Sequence, residues 1–196
     1  FLADHFTVRI LGLGGNLLFQ FGNLAVFQFA CACPVAFALG PFQFRRDLLV
    51  RRRPLHRLLG KVYIVSALVT GLVGLYMAFY SYGGLDTHLG FGGLALATLF
   101  TTSRAYVLVR AGRFVEHREW MIRSYSQTLS GTTLRLMIPV MDHAGLPWHE
   151  NYLTALWMCW VPNLFVAELL IHCRRCRREG RPLWAPAPRV RMAAQP

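Results

Sequence analysis

"RRRPLHRLLGKVYIVSALVTGLVGLYMAFY", residues 51–80, decides what kind of molecule this chain is. From Val62 to Tyr80 there is no Asp, Glu, Lys or Arg. A helix of that length crosses a hydrocarbon core of ~30 Å, because each residue advances it by ~1.5 Å. The arginines at the near end, Arg51, Arg52, Arg53 and Arg57, mark a border that stays on the cytoplasmic or matrix side. Working outward, apolar runs of similar length recur at 17–40, 62–81, 89–109, 122–141 and 152–172. The pattern predicts an all-α integral membrane bundle of about five transmembrane helices.

Composition agrees. Hydrophobic residues make up 55% of the 196 and charged residues 15%, with a positive mean hydropathy, which is too apolar for an ordinary soluble domain. The net charge of +12 does not point to nucleic acid, because the arginines fall in clumps between the apolar runs. Arg45, Arg46, Arg51, Arg52, Arg53, Arg57 and Lys61 follow the first run. Arg110, Arg113, Arg118 and Arg123 follow the third, and Arg174 to Arg191 follow the fifth. "SYGGLDTH" and "MDHAGLPWHE", on the other side, hold no Lys or Arg. The positive-inside rule therefore puts the N-terminus outside and the C-terminus inside, in a bacterial cytoplasmic or mitochondrial inner membrane. Residues 1–16 read as an interfacial segment, 17–172 as the bundle, and 173–196 as a basic, proline-rich tail.

Small residues recur every fourth position on two runs: Ser66, Thr70, Gly74 and Ala78, then Gly93, Ala97, Thr101 and Ala105. Such lanes let helix backbones approach, so these two helices are expected to pack closely. On the fourth run Ser124, Gln127, Thr128, Gly131 and Arg135 fall within an arc of about 100°. Arg135 ends that polar lane and is expected to face the bundle interior or a partner subunit. Its acceptors would be Gln20 and Asn23 together with a carboxylate, a helix-end carbonyl, a lipid phosphate or a quinone oxygen. Arg104 and Glu168 lie at equal depth near the inner border and are expected to pair.

His56 and His117 also lie at matching depth where two runs leave the basic side, so a shared ligand such as haem b is geometrically conceivable. The alternative is that they cap helix ends or meet lipid phosphate. Cys173 and Cys176 have a C-x-x-C spacing but neither the four ligands of a zinc site nor the trailing histidine of haem c attachment. The hydrolase, metalloprotease, P-loop and dinucleotide signatures do not occur.

The elements "LGPFQF", "RRRPLHRLLGKVYIV", "EHREWMIRSYSQTLSGTTLRLMIP" and "WVPNLFVAELLI" resemble the predicted membrane proteins of domain-of-unknown-function family 2306 (DUF2306), over roughly residues 37–172. The resemblance implies a small multi-span helical protein without an established biochemical role. It also implies a histidine ahead of "LGPFQF", which this chain lacks in "AVFQFACACPVAF". Two functional expectations follow. The leading one is a non-catalytic accessory subunit of a larger membrane assembly, such as an energy-transducing complex, with no cofactor. It would contact other subunits and anionic lipid on the basic side through Arg51, Arg52, Arg53, Arg104, Gln127, Arg135 and Glu168. The other is a small haem b- or quinone-binding redox protein centred on His56 and His117.

Overall fold

A computed structural model describes residues 32–81, 84–143, 145 and 148–182. Every regular element among them is helical: α1 (Ala32–Gln43), α2 (Arg46–Arg51), α3 (Arg53–Ala78), α4 (Leu85–Arg110), α5 (Phe114–His143), α6 (Trp148–Met158) and α7 (Val161–Glu179). The predicted runs 62–81, 89–109 and 122–141 fall on α3, α4 and α5. Only the end of the first run is described, as α1; Gln20, Asn23, residues 1–16 and the tail beyond 182 lie outside the described residues.

The arginine-rich ends gather at one pole of the bundle because consecutive long helices alternate in direction. The turn from α4 to α5 shows how the chain reverses there. Gly112 takes a left-handed φ of +73°, its N–H meets the Val109 carbonyl, and the Arg113 N–H meets Leu108. That pair of bonds satisfies carbonyls that the end of α4 would leave open, and glycine adopts the conformation without a Cβ penalty. At the opposite pole Ser81, between α3 and α4, contacts the Thr87 hydroxyl at 3.3 Å and the His88 Nδ1 at 3.1 Å, holding the hairpin at its other end.

α3 and α4 do pack closely, through lanes that share Ala78 and Ala105 with the predicted ones. On α3 the buried lane is Tyr63, Ala67, Gly71 and Ala78, and on α4 it includes Ala95, Thr98, Thr102 and Ala105. A Cβ placed on Gly71 would stand 2.8 Å from Leu99, so the backbones approach as far as glycine permits. Thr101 is buried as well and Thr70 partly so, and both donate their hydroxyls to their own helices, to the Ala97 and Ser66 carbonyls. Such self-satisfied hydroxyls need no hydrogen-bond partner on the neighbouring helix.

α5 is the hub. It touches α3 through Tyr63 and Ser124, α4 through Thr102, α1 through the Tyr125 ring against Gly40, and it also packs on α6 and α7. Three stretches meet the length and apolarity of a membrane span by themselves: Arg53–Ala78, Leu85–Arg110 and Glu150–Glu179. α5 does not. Five of its buried residues, Ser124, Ser126, Gln127, Thr128 and Ser130, are polar. A helix ringed by other helices meets protein rather than lipid, so its polar side chains can be satisfied where hydrocarbon would leave them unpaired.

The fifth run is broken. α6 stops at Met158 and α7 starts at Val161, with Pro162 in its first turn. Proline brings no N–H to continue the helix, and the Asn163 side chain spans the break by donating to the Cys159 carbonyl at 2.7 Å and to the Thr133 hydroxyl of α5 at 3.0 Å. The "WVPNLF" stretch carried this signal in its proline.

Candidate functional site

Two constellations stand out against the packing. The first lies at the arginine-rich pole, where α1, α3, α4 and α5 meet. His117, one turn into α5, engages the Ala105 carbonyl of α4 through Nδ1 at 2.7 Å. That contact makes Nδ1 the donor and leaves Nε2 to accept a proton, a metal or a hydrogen bond. His56, in the first turns of α3, lies within electrostatic reach of His117. Its Nδ1 is buried and without a hydrogen-bond partner among the described residues. Gln43 at the end of α1 packs on Gly60, one turn further along α3, and its buried Nε2 is likewise without a partner. His56 and His117 thus lie on α3 and α5 at the same pole, and Gln43, which sequence reading did not single out, packs one turn along α3 from His56.

Two turns deeper the same faces carry hydroxyls. Ser124 lies 3.0 Å from the Tyr63 hydroxyl and 2.7 Å from that of Thr102, joining α3, α4 and α5. All three residues are fully buried. Met121 and Ala105, also buried, fill the core between this cluster and the histidines, so the two polar groups are separate. A tyrosine on an apolar helix face gives no sequence sign that it will be tied to a serine 61 residues away.

The second constellation concerns the charges. Glu168 does not pair with Arg104. It receives Arg123 of α5 through two bonds, the Nη2 contact being 2.8 Å long, while the Arg123 guanidinium also lies 4.7 Å from the Trp120 ring centre. One turn further out, Glu119 receives Arg175 in the same two-pronged manner. The Arg175 guanidinium holds the Glu119 carboxyl below its usual range, and burial opposes this in part. Depth was equal for Arg104 and Glu168, but azimuth was not: α7 packs on α5, while Arg104 shares an outward face of α4 with exposed Phe100 and Val107.

Arg135 also departs from the interior position. Ser124, Gln127 and Thr128 of its lane are buried as expected, yet Arg135 itself is exposed, beside Cys33 of α1. Its hydrogen bond runs to the Gly131 carbonyl of its own helix, at 3.3 Å. Pro139, four residues on, brings no N–H to the Arg135 carbonyl. Arg51, Arg52 and Arg53 are exposed where α2 turns into α3. Among the described residues no group of three or more His, Cys, Asp or Glu side chains gathers as a metal site. Cys176 is buried with its sulfur 3.4 Å from His172, whereas Cys173 is partly exposed.

Comparison with known proteins gives one match. The family described as "Predicted membrane protein (DUF2306)" covers residues 26–171. No curated protein matches the chain. Nor does any solved structure.

Proposed function

Because the chain belongs to this family of predicted membrane proteins, we propose that it works inside the bilayer as a non-catalytic accessory subunit of a larger membrane assembly, bound to it through the outer faces of α4 and α5. The observation that carries this reading is the exposed Arg135. It lies twelve residues beyond Arg123, about 18 Å along the helix at 1.5 Å per residue and so well within a ~30 Å core. A guanidinium at that depth is costly against lipid tails and is retained where an acceptor meets it. Arg104 offers a second cation on α4. The test is affinity purification of the tagged chain from its native membrane, with a photo-crosslinking residue at Leu136. The reading expects a discrete crosslinked protein that Arg135→Met reduces by at least tenfold. A crosslink pattern of lipid alone, unchanged by Arg135→Met, would overturn it.

A second reading is favoured by the histidine pair. Two imidazoles from α3 and α5, one oriented by a carbonyl and one with an unsatisfied buried nitrogen, form a donor set suited to haem b or to a quinone oxygen. The fit is to the ligand atoms, His56 and His117. An absorption spectrum of the purified chain separates the readings: a Soret band lost in His117→Leu favours haem, and retention of a quinone lost in the same variant favours the other ligand.

A further inference from the structure

The α1–α2–α3 corner holds a cleft of about 370 Å³, lined by Phe42, Arg45, Leu48, Arg51, Arg52, Leu55 and Leu59. We propose that it is a binding site for one anionic phospholipid, its phosphate taken by Arg45, Arg51 and Arg52 and its first chain methylenes by the leucines. This goes beyond the partner reading and does not depend on it, since the isolated chain suffices to test it.

The sequence "FQFRRDLLVRRRPLHRLLG" holds six arginines, Arg45, Arg46, Arg51, Arg52, Arg53 and Arg57, with Asp47 as its only acid. α2 is one and a half turns long, and Pro54 in the first turn of α3 prevents the two helices from merging into one. The chain bends at Arg52, whose φ of −132° and ψ of 56° are not helical. The bend brings Leu48 and Arg51 of α2 to face Leu55 and Leu59 of α3. Arg45, at the start of α2, and Arg52, at its end, close the rim.

The result has two chemistries in one concavity. Its arginines are exposed, and among the described residues no ion pair reaches Arg45, Arg51 or Arg52. Guanidinium is a planar fork that matches a phosphate with paired hydrogen bonds and is more weakly hydrated than an ammonium, so it transfers readily to a partly apolar site. The leucines below are half-buried, and Val50 and Leu58 beside the cleft are 62% and 58% exposed, as side chains meeting acyl chains should be. A soluble phosphate would use the rim and leave this apolar floor wet. A zwitterionic lipid would place its own cation among the three arginines. An anionic phospholipid satisfies both parts at once, at the height where its headgroup resides.

Native mass spectrometry of the detergent-purified full chain, titrated with phosphatidylglycerol or phosphatidylcholine, tests the proposal. One phosphatidylglycerol is expected to be retained at least tenfold more strongly than phosphatidylcholine. Each arginine near an anionic surface contributes roughly fivefold, so R45Q/R51Q/R52Q should lose at least tenfold in phosphatidylglycerol retention. Arg174→Gln with Arg177→Gln, which removes equal kinds of charge elsewhere at the same pole, should retain it. Leu55→Trp keeps every arginine but fills the cleft, and it too should lose the lipid. Retention in both the arginine and the Leu55→Trp variants would overturn the site. So would displacement of the bound lipid by millimolar inorganic phosphate, which would make it a phosphate site. Should the triple variant fail to purify as a monodisperse species, Leu55→Trp decides alone.

Discussion

Ser124 shows how much a single hydroxyl does in this bundle. With one donor and two lone pairs it can give to one neighbour and accept from the other, so the Tyr63 and Thr102 hydroxyls are both satisfied through it. Hydrogen bonds between membrane helices average roughly 0.6 kcal/mol, but removing this hub leaves the buried Thr102 hydroxyl without its partner on α5 and Tyr63 with only the 3.5 Å contact to Thr128. Ser124→Ala should therefore cost about 1–2 kcal/mol in a reversible unfolding titration in mixed micelles. Tyr63→Phe should cost less, about 0.5–1 kcal/mol, because Ser124 keeps its shorter bond to Thr102. Should the two changes prove strictly additive in the double variant, the three hydroxyls do not act as a unit. The polar lane containing Ser124 was legible in the sequence from helical periodicity. Its partners were not, because a tyrosine or threonine on an apolar run looks the same whether it faces lipid or a neighbouring hydroxyl.

At the scale of the elements, the α3–α4 seam discriminates between glycines three residues apart. A Cβ on Gly71 would stand 2.8 Å from two Leu99 carbons with the Ala95 carbonyl 3.5 Å away, whereas a Cβ on Gly74 would meet the Ala95 Cβ at an ordinary 3.7 Å. Gly71→Ala should thus destabilise by about 1–3 kcal/mol through overpacking. Gly74→Ala should be neutral or gain up to ~1 kcal/mol of helix propensity. The same micelle titration reads both, and equal effects at the two positions would show that the seam is looser than described. The order of α3, α4 and α5 was legible from run length and charge, while the break between α6 and α7 was not. The seam's exact azimuth and the pairing of Glu168 were not, because a periodicity says which residues share a face and is silent on which helix that face meets.

For the whole molecule, the gathering of helix ends rich in arginine at one pole turns the charge asymmetry into a test of orientation. Cys176, the thiol nearest to hand in the sequence, is buried and unsuited to labelling; Cys173 is partly exposed and takes its place. In sealed cells or right-side-out vesicles, an impermeant maleimide should label Glu150→Cys directly and Cys173 only after permeabilisation. Labelling of both from the same side would reject the N-outside, C-inside arrangement. This global feature needed only counting, since arginine clumps alternate along the chain with loops free of Lys and Arg.

The enclosed, polar α5 also bears on how the protein is made. A translocon partitions each segment by its own affinity for lipid, and α5, unlike its neighbours on either side, does not have a span's apolarity. The Ser124 hydroxyl finds its partners on α3 and α4, both synthesised earlier. Biogenesis should then be ordered: the α3–α4 hairpin enters first and receives α5 as it emerges. In a glycosylation-mapping assay, residues 114–143 alone should insert poorly and should insert well behind residues 53–110. Ser124→Ala should weaken that assisted insertion while leaving the behaviour of the isolated segment unchanged.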